Sequence, residues 1–346
     1  MKKTNLVKRT LSIILAFAIL MSLATGIAVN AAPAKFGDNI IPLAFEKKYT
    51  GTAGDEADPN TYSFTIAKSG KVDIVYTSDK AISLYLYDQN GDKLDSYFNS
   101  DIIEPYYLKS GTYYLQTGRS LFSYDKVPFS LIVSYQSSKE TFVETQNSND
   151  DTPSLANKIA LGKRYYGHLG RDDSYDYFKF TVPKKGTVTV EYQGVEYANC
   201  RFYDSDLNEC FRLFDSPPVT KVFNFSKGTY YFVTGRSNRG GAYNFILNYK
   251  PSIAKASITK ATRKGTKATI KLKKISSADG YQIAYSTSKK FAKSKTKFVT
   301  TKKTKATIKK LKKNKTYYVR ARAYIKHDKK TFYGSYSAKK VLKKKK

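Results

Sequence analysis

Apolar side chains along this chain recur at every second position in short runs. Tyr62 and Phe64 form one run, Val72, Ile74 and Tyr76 another, and Phe129, Leu131, Val133 and Tyr135 a third. The same grammar returns at Phe178 and Phe180, at Val188, Val190 and Tyr192, and at Tyr243, Phe245, Leu247 and Tyr249. A period of two sends neighbouring side chains to opposite faces, so each run predicts a strand with one buried face. Gly, Asp, Asn and Lys gather between the runs, where turns belong. Outside Leu11–Val29 no long segment carries helical apolar spacing. The pattern predicts an all-β chain.

The runs are written twice. Residues Leu108–Ser120 read LKSGTYYLQTGRS and Phe225–Ser237 read FSKGTYYFVTGRS, with Gly228 following Gly111 by 117 residues. Self-similarity at a fixed offset marks a duplicated structural unit. At an offset of 116 the match extends to Tyr62/Phe178, Lys68-Ser-Gly70/Lys184-Lys-Gly186 and Leu86-Tyr-Asp88/Phe202-Tyr-Asp204. The unit therefore covers 36–136 and again 150–250, with 137–153 as a polar linker rich in Ser, Asn, Asp and Glu. Alternating strands of this length are buried by packing two sheets face to face, so each unit is predicted as a jelly roll or β-sandwich. In the duplicated strand Tyr113 and Leu115 share the core face, as do Tyr230 and Phe232. Tyr114, Tyr231, Arg119 and Arg236 are thereby left to meet a ligand.

A third module spans 252–344. Its alternation predicts seven strands, near Ile253–Thr259, Ala268–Ile275, Tyr281–Ser286, Lys297–Lys302, Ala306–Leu311, Tyr317–Ile325 and Thr331–Leu342. In the sixth, Tyr317, Val319, Ala321 and Ala323 are predicted to point inward. Tyr318, Arg320, Arg322 and Tyr324 then share the outer face, with Lys271, Lys273, Lys302 and Lys309 supplied by neighbouring strands.

Two family resemblances attach to these patterns. The Asp173-x-x-Asp176-Tyr-Phe-x-Phe180 strand, the Phe202-Tyr-Asp204 strand and the Gly-Thr-Tyr-Tyr strand resemble bacterial pre-peptidase C-terminal domains. These are β-sandwiches appended to secreted peptidases, related to clostridial collagen-binding domains. The resemblance implies calcium as a possible ligand, with Asn149, Asp150 and Asp176 on the family's ligand positions. Asn147 and Ser174 stand where Glu and Asp are common, which removes two of the charged oxygens a hard 6–8-coordinate ion prefers. The third module resembles the fibronectin type III domain of bacterial surface proteins, through Ala278-Asp-Gly-Tyr-Gln-Ile-Ala-Tyr-Ser286, Tyr317-Tyr-Val-Arg-Ala-Arg-Ala323 and Tyr333-Gly-Ser-Tyr-Ser337. Leu272 replaces the Trp usual in that family's core. The fold expectation is thus all-β: two jelly-roll/β-sandwich repeats followed by an immunoglobulin-like, fibronectin type III β-sandwich.

Charge sharpens the contrast between modules. Of the chain's 61 Lys and Arg, 32 lie beyond residue 250, against only Asp279 and Asp328. Residues 32–250 carry 25 bases and 26 acids. A basic start, the apolar run Leu11–Val29 and the small residues Ala31-Ala32 read as a signal peptide over 1–31. No later segment approaches the ~18 apolar residues of a membrane span. In an exported chain Cys200 and Cys210, flanking the turn Asp204–Asn208, are expected either to form a disulfide across a hairpin or to remain as two buried thiols.

Catalytic parts are scarce. Two histidines, His168 and His327, sit in different modules, and no Gly-x-Ser-x-Gly elbow occurs. The expectation is a non-catalytic protein, secreted and retained at the cell surface, needing no cofactor unless calcium binds. Its basic module is expected to attach to an anionic cell-wall polymer, a sulfated glycan or extracellular matrix, with no specific nucleic-acid role. The sandwiches would serve as spacer or glycan- or protein-binding arm. Two alternatives stay open: an accessory or targeting subunit of a secreted hydrolase, and a structural surface-layer component.

Overall fold

The computed structural model describes residues 32–53, 59–118, 126–139, 152–170, 173–194, 198–236 and 241–343. The expected signal segment lies outside them. Among the described residues every regular element is a strand apart from short turns of 3-10 helix at Ala34–Phe36 and Lys293–Lys295. By compactness the described chain falls into two units, 32–181 with 189–222 and 229–248, and 182–188 with 223–228 and 249–343.

The first repeat contributes β1 (Ile40–Pro42), β2 (Tyr49–Ala53), β3 (Thr61–Ile66), β4 (Gly70–Tyr87), β5 (Lys93–Leu108), β6 (Gly111–Thr117) and β7 (Val127–Ser137). They run in the order β1-β3-β6-β4-β7-β2, with β5 also on β4. The long β4 joins two layers: Gly70–Ser78 pairs with β7, and Leu84–Tyr87 pairs with β6. Between these segments its register with β5 shifts from Thr77 to Ile82, the kind of irregularity that bends a strand from one layer to the next. Tyr62, Phe64, Val72, Ile74, Tyr76, Leu115 and Leu131 fill the space enclosed.

The second repeat contributes β8 (Asn157–Lys158), β9 (Arg164–Leu169), β10 (Tyr175–Val182), β11 (Gly186–Gln193), β12 (Ala198–Asp204), β13 (Glu209–Asp215), β14 (Val219–Phe225), β15 (Gly228–Gly235) and β16 (Gly241–Pro251). These form two separate sheets, β13-β12-β15-β10-β8 and β14-β11-β16-β9. The duplication is visible in strand order. What β4 and β5 do as continuous strands, β11 with β12 and β13 with β14 do in halves. Ser216-Pro217-Pro218 separates β13 from β14 by withdrawing two ladder donors. Gly194, at φ +144°, ends β11 where a Cβ would come within 2.4 Å of Tyr243 Cα, so only glycine permits this approach.

Neighbouring residues on both faces of the duplicated strand are buried: Tyr113, Tyr114 and Leu115 on β6, and Tyr230, Tyr231 and Phe232 on β15. Tyr114 and Tyr231 are buried rather than available to a ligand. The Tyr114 ring packs 4.7 Å from Phe36 of the turn Ala34–Phe36, and Lys179 lies 5.2 Å over Tyr231. Arg236 is half-buried and donates to the Gly170 carbonyl at 3.4 Å, while Arg119 lies outside the described residues.

The cysteine expectation is corrected too. Both thiols are free, Cys200 buried and Cys210 exposed. The hairpin between β12 and β13 exists, but its register sets Cys200 opposite Leu213, not Cys210. Cys200 faces the core and donates to Thr234 Oγ1 at 3.8 Å, and burial pushes its thiol up to about 12.

In the third module lie β17 (Ile258–Lys264), β18 (Lys267–Leu272), β19 (Gly280–Ser286), β20 (Thr296–Thr301), β21 (Lys305–Ile308), β22 (Tyr317–His327), β23 (Lys330–Tyr333) and β24 (Lys340–Leu342). One sheet is β17-β18-β21 and the other β20-β19-β22-β23, with β24 also on β22. Ile270, Ile308, Ile283, Val319, Ala321 and Leu272 from both sheets meet in one core. The first strand starts later than expected and carries Arg263 and Lys264. The expected last strand, Thr331–Leu342, is instead two short ones. Between them Gly334 N donates to Ala323 O and Ser337 N to Ala321 O, so the chain tracks β22 with isolated bonds.

Candidate functional site: two outer faces of the basic module

The eight residues expected to form one basic face are divided between opposite sides of the sandwich. Tyr318, Arg320, Arg322 and Tyr324 lie on β22, whose partners are β19, β23 and β24. Lys271 lies on β18 and Lys309 follows β21, both in the other sheet. Lys273 and Lys302 are exposed just beyond strand ends. With one shared core between the sheets, their outward side chains point away from each other.

On the β22 side the arginines are already occupied. The Arg320 guanidinium sits 4.2 Å from the Phe291 ring centroid and 3.9 Å from that of Tyr336. Arg322 lies 3.8 Å from the Tyr333 centroid and 4.7 Å from that of Tyr336, and its Nε donates to Gln282 Oε1 at 2.9 Å. Cations and rings alternate, each planar guanidinium held by ring faces. The Tyr-Gly-Ser-Tyr-Ser stretch supplies two of those rings.

Tyr324 is covered rather than exposed: it is buried, with its ring 6.2 Å from that of Tyr333. The register places Gly280 opposite it, and a Cβ on Gly280 would lie 2.5 Å from the Tyr324 hydroxyl. Absence of a side chain at Gly280 lets the ring fold flat across the neighbouring strand. Tyr318 is half-buried beside Val341 of β24.

The other face has a different make-up. On β18, Lys267, Thr269 and Lys271 point out while Ala268, Ile270 and Leu272 are buried. On β21, Lys305 and Thr307 point out while Ala306 and Ile308 are buried. On β17, Lys260, Thr262 and Lys264 are exposed. The registers align them in rows across the strands: Lys260, Lys271 and Lys305; then Thr262, Thr269 and Thr307; then Lys264 beside Lys267. Carrying the β18–β21 register one residue on sets Lys309 beside Lys267. Among the described residues none of these six lysines is paired with a carboxylate. The module's two acids are engaged elsewhere: Asp279 accepts from Lys184 Nζ at 2.5 Å and from Lys326 N at 2.7 Å, and Asp328 lies 3.1 Å from His327.

Sequence reasoning found Lys271 and Lys309 but missed Lys260, Lys264, Lys267 and Lys305. A signal existed. Thr266–Lys271 and Thr304–Lys309 both read TKATIK, with Ala and Ile inward and Lys-Thr-Lys outward.

Arg263, the module's third arginine, also serves the fold. Its Nη1 donates to Lys315 O at 2.7 Å, its Nη2 to Lys312 O at 2.7 Å and its Nε to Gly265 O at 3.0 Å.

In the first unit the candidate groups are buried in packing roles. Asp176 is fully buried and accepts from the Tyr243 hydroxyl. Its expected calcium companions Asn149 and Asp150 lie outside the described residues. Among the described residues no three His, Cys, Asp or Glu side chains are grouped as metal ligands. His168 is buried with Asp95: Nε2 lies 3.5 Å from Asp95 Oδ2, which also accepts from the Tyr97 and Tyr106 hydroxyls. Burial lowers the His168 pKa, partly offset by the Asp95 charge.

Fold and faces define the class: an all-β chain of β-sandwich domains with a strongly basic C-terminal module. Among solved structures, the chain is similar to the pre-peptidase C-terminal domain of a collagenase from Bacillus anthracis, at 19% identity over 27% of this chain and 94% of that one, TM-score 0.25. It is similar to the FN1–FN3 domains of chicken CNTN1, at 12% identity over 81% of this chain and 99% of that one, TM-score 0.29. A β-1,2-glucanase from Parabacteroides distasonis matches at 14% identity over 48% of this chain and 28% of that one, TM-score 0.21. Both resemblances drawn from the sequence, to pre-peptidase C-terminal and fibronectin type III domains, recur among these structures. No protein-family model and no curated protein matches the chain.

Proposed function

We propose that this is a secreted, surface-retained, non-catalytic binding protein whose basic module attaches to anionic cell-wall or extracellular polymers, with the two repeats as spacer or binding arm. One observation carries the reading: six lysines stand in rows on one exposed face with no carboxylate paired to them among the described residues. Like charges directly opposite on neighbouring strands are unfavourable, and a solubilising surface would intersperse acids. A polyanion neutralises the rows and releases its own counterions, which makes binding tight at low salt and weak at high salt.

The test is a titration of the full chain with linear anionic polymers and a neutral polymer of matched length. Binding to the polyanions alone, with log K falling linearly in log salt, is the expected result. Equal binding to the neutral polymer, or no binding at low salt, overturns the reading.

A further inference from the structure

The two faces of the basic module differ in what they can recognise, and that difference names a partner. We infer that the lysine face of β17, β18 and β21 is the attachment surface, and that it takes a flexible polyol-phosphate chain, a linear polymer of repeated phosphodiesters without stacked rings. The inference rests on the polyanion reading above.

Three observations lead there. The rows Lys260–Lys271–Lys305 and Lys264–Lys267–Lys309 carry only ammonium groups, with no arginine in either. Ammonium on a four-carbon stem is a compact point charge that follows a moving anion, whereas guanidinium recognises a fixed planar pair of oxygens. Adjacent strands lie ~4.8 Å apart and the rows, four residues apart along a strand, ~13 Å apart. Two parallel lines of charge thus flank a row of threonine hydroxyls able to donate and accept hydrogen bonds. No aromatic residue points out from this face. A surface that binds nucleic-acid bases offers rings to stack on, and sugar rings likewise pack on aromatic faces. Here the module's rings Phe291, Tyr333 and Tyr336 are on the opposite side, filled by Arg320 and Arg322. The lysine face offers spaced positive charge and hydroxyls, with no ring surface.

The test uses the full chain and three probes matched in charge: poly(glycerol phosphate), heparin and single-stranded DNA, each titrated at several salt concentrations. One variant replaces Lys260, Lys271 and Lys305 by Gln. A control replaces three exposed lysines of the other sheet, Lys297, Lys330 and Lys340, by Gln, which changes net charge equally. Expected is a loss of tenfold or more in affinity for poly(glycerol phosphate) in the first variant, with a salt slope shallower by roughly two to three counterions. The control is expected to lose less than threefold. Melting temperatures report folding, and the first variant should melt no lower than the parent because opposed charges are removed. Equal losses in both variants overturn the assignment of the surface. Tighter binding of heparin or DNA than of poly(glycerol phosphate) overturns the partner while leaving the polyanion reading intact. Failure of the parent chain to bind any probe at low salt removes that reading and this inference together.

Discussion

The two outer faces of the C-terminal module carry the same sign of charge and use it differently. On the β22 side, Arg320 and Arg322 are stacked among Phe291, Tyr333 and Tyr336, so their cations are bound within the fold. On the β18 side, rows of lysines face one another across strands with no internal counter-charge among the described residues. Net charge alone therefore misjudges the module. All three of its arginines serve its own structure, and the lysines are the charges left over for a partner. The guanidinium's flat, weakly hydrated faces suit burial against rings and carbonyls, whereas an ammonium keeps its water unless an anion replaces it.

Substitutions at four positions probe this division, from the largest effect to the smallest. Arg320→Ala strands two aromatic faces and removes a buried stem; it is expected to destabilise the module by about 2 kcal/mol in chemical denaturation. Arg320→Lys should recover little of that, since no plane remains to stack. A cost near zero for Arg320→Ala breaks the comparison. Arg263→Ala frees the carbonyls of Gly265, Lys312 and Lys315, and is expected to cost about 1.5 kcal/mol by the same measurement.

Asp279→Asn tests the module's acids. Burial pushes the Asp279 carboxyl up, but the Lys184 hydrogen bond, the Lys326 amide and their charges together hold it below its ordinary 3.8. Its contribution is therefore present above pH 3.8 and lost as the pH falls through the lower folded value. Because the pair is over a third exposed on the acid side, the cost at neutral pH should stay below about 1 kcal/mol, and the acid limb of stability against pH should flatten. An unchanged acid limb shows that the pair contributes nothing. Lys271→Gln is the smallest and of opposite sign. Lys271 lies between Lys260 and Lys305, so removing its charge is expected to stabilise by about 0.3 kcal/mol at low salt, vanishing near 0.5 M where charges are screened. A loss of stability at low salt instead would show that the row is not self-repelling.

Much of the fold was legible because strands announce themselves locally. Alternation at Val188, Val190 and Tyr192 and the written-twice GTYY segment needed no tertiary information. The candidate face was less legible. Alternation correctly sends Arg320 and Arg322 outward, but outward does not mean free, since Phe291, Tyr333 and Tyr336 arrive from elsewhere in the chain. The burial of Tyr324 depends on Gly280 across the strand, 44 residues away in sequence. Cys200 and Cys210 flank a true hairpin turn, yet a register shift between Phe202 and Tyr203 and the inward side of Cys200 keep the thiols apart.

By itself the sequence determined which residues alternate, where the unit is duplicated and how charge is apportioned, because each of these is a property of neighbours along the chain. Only the tertiary structure decided which sheet each strand joins. That choice put Lys271 beside Lys260 and Lys305 and turned Arg320 to the opposite side of the core. Sheet membership is set by hydrogen bonds between segments distant in sequence, and two copies of TKATIK become one face only when they pair antiparallel.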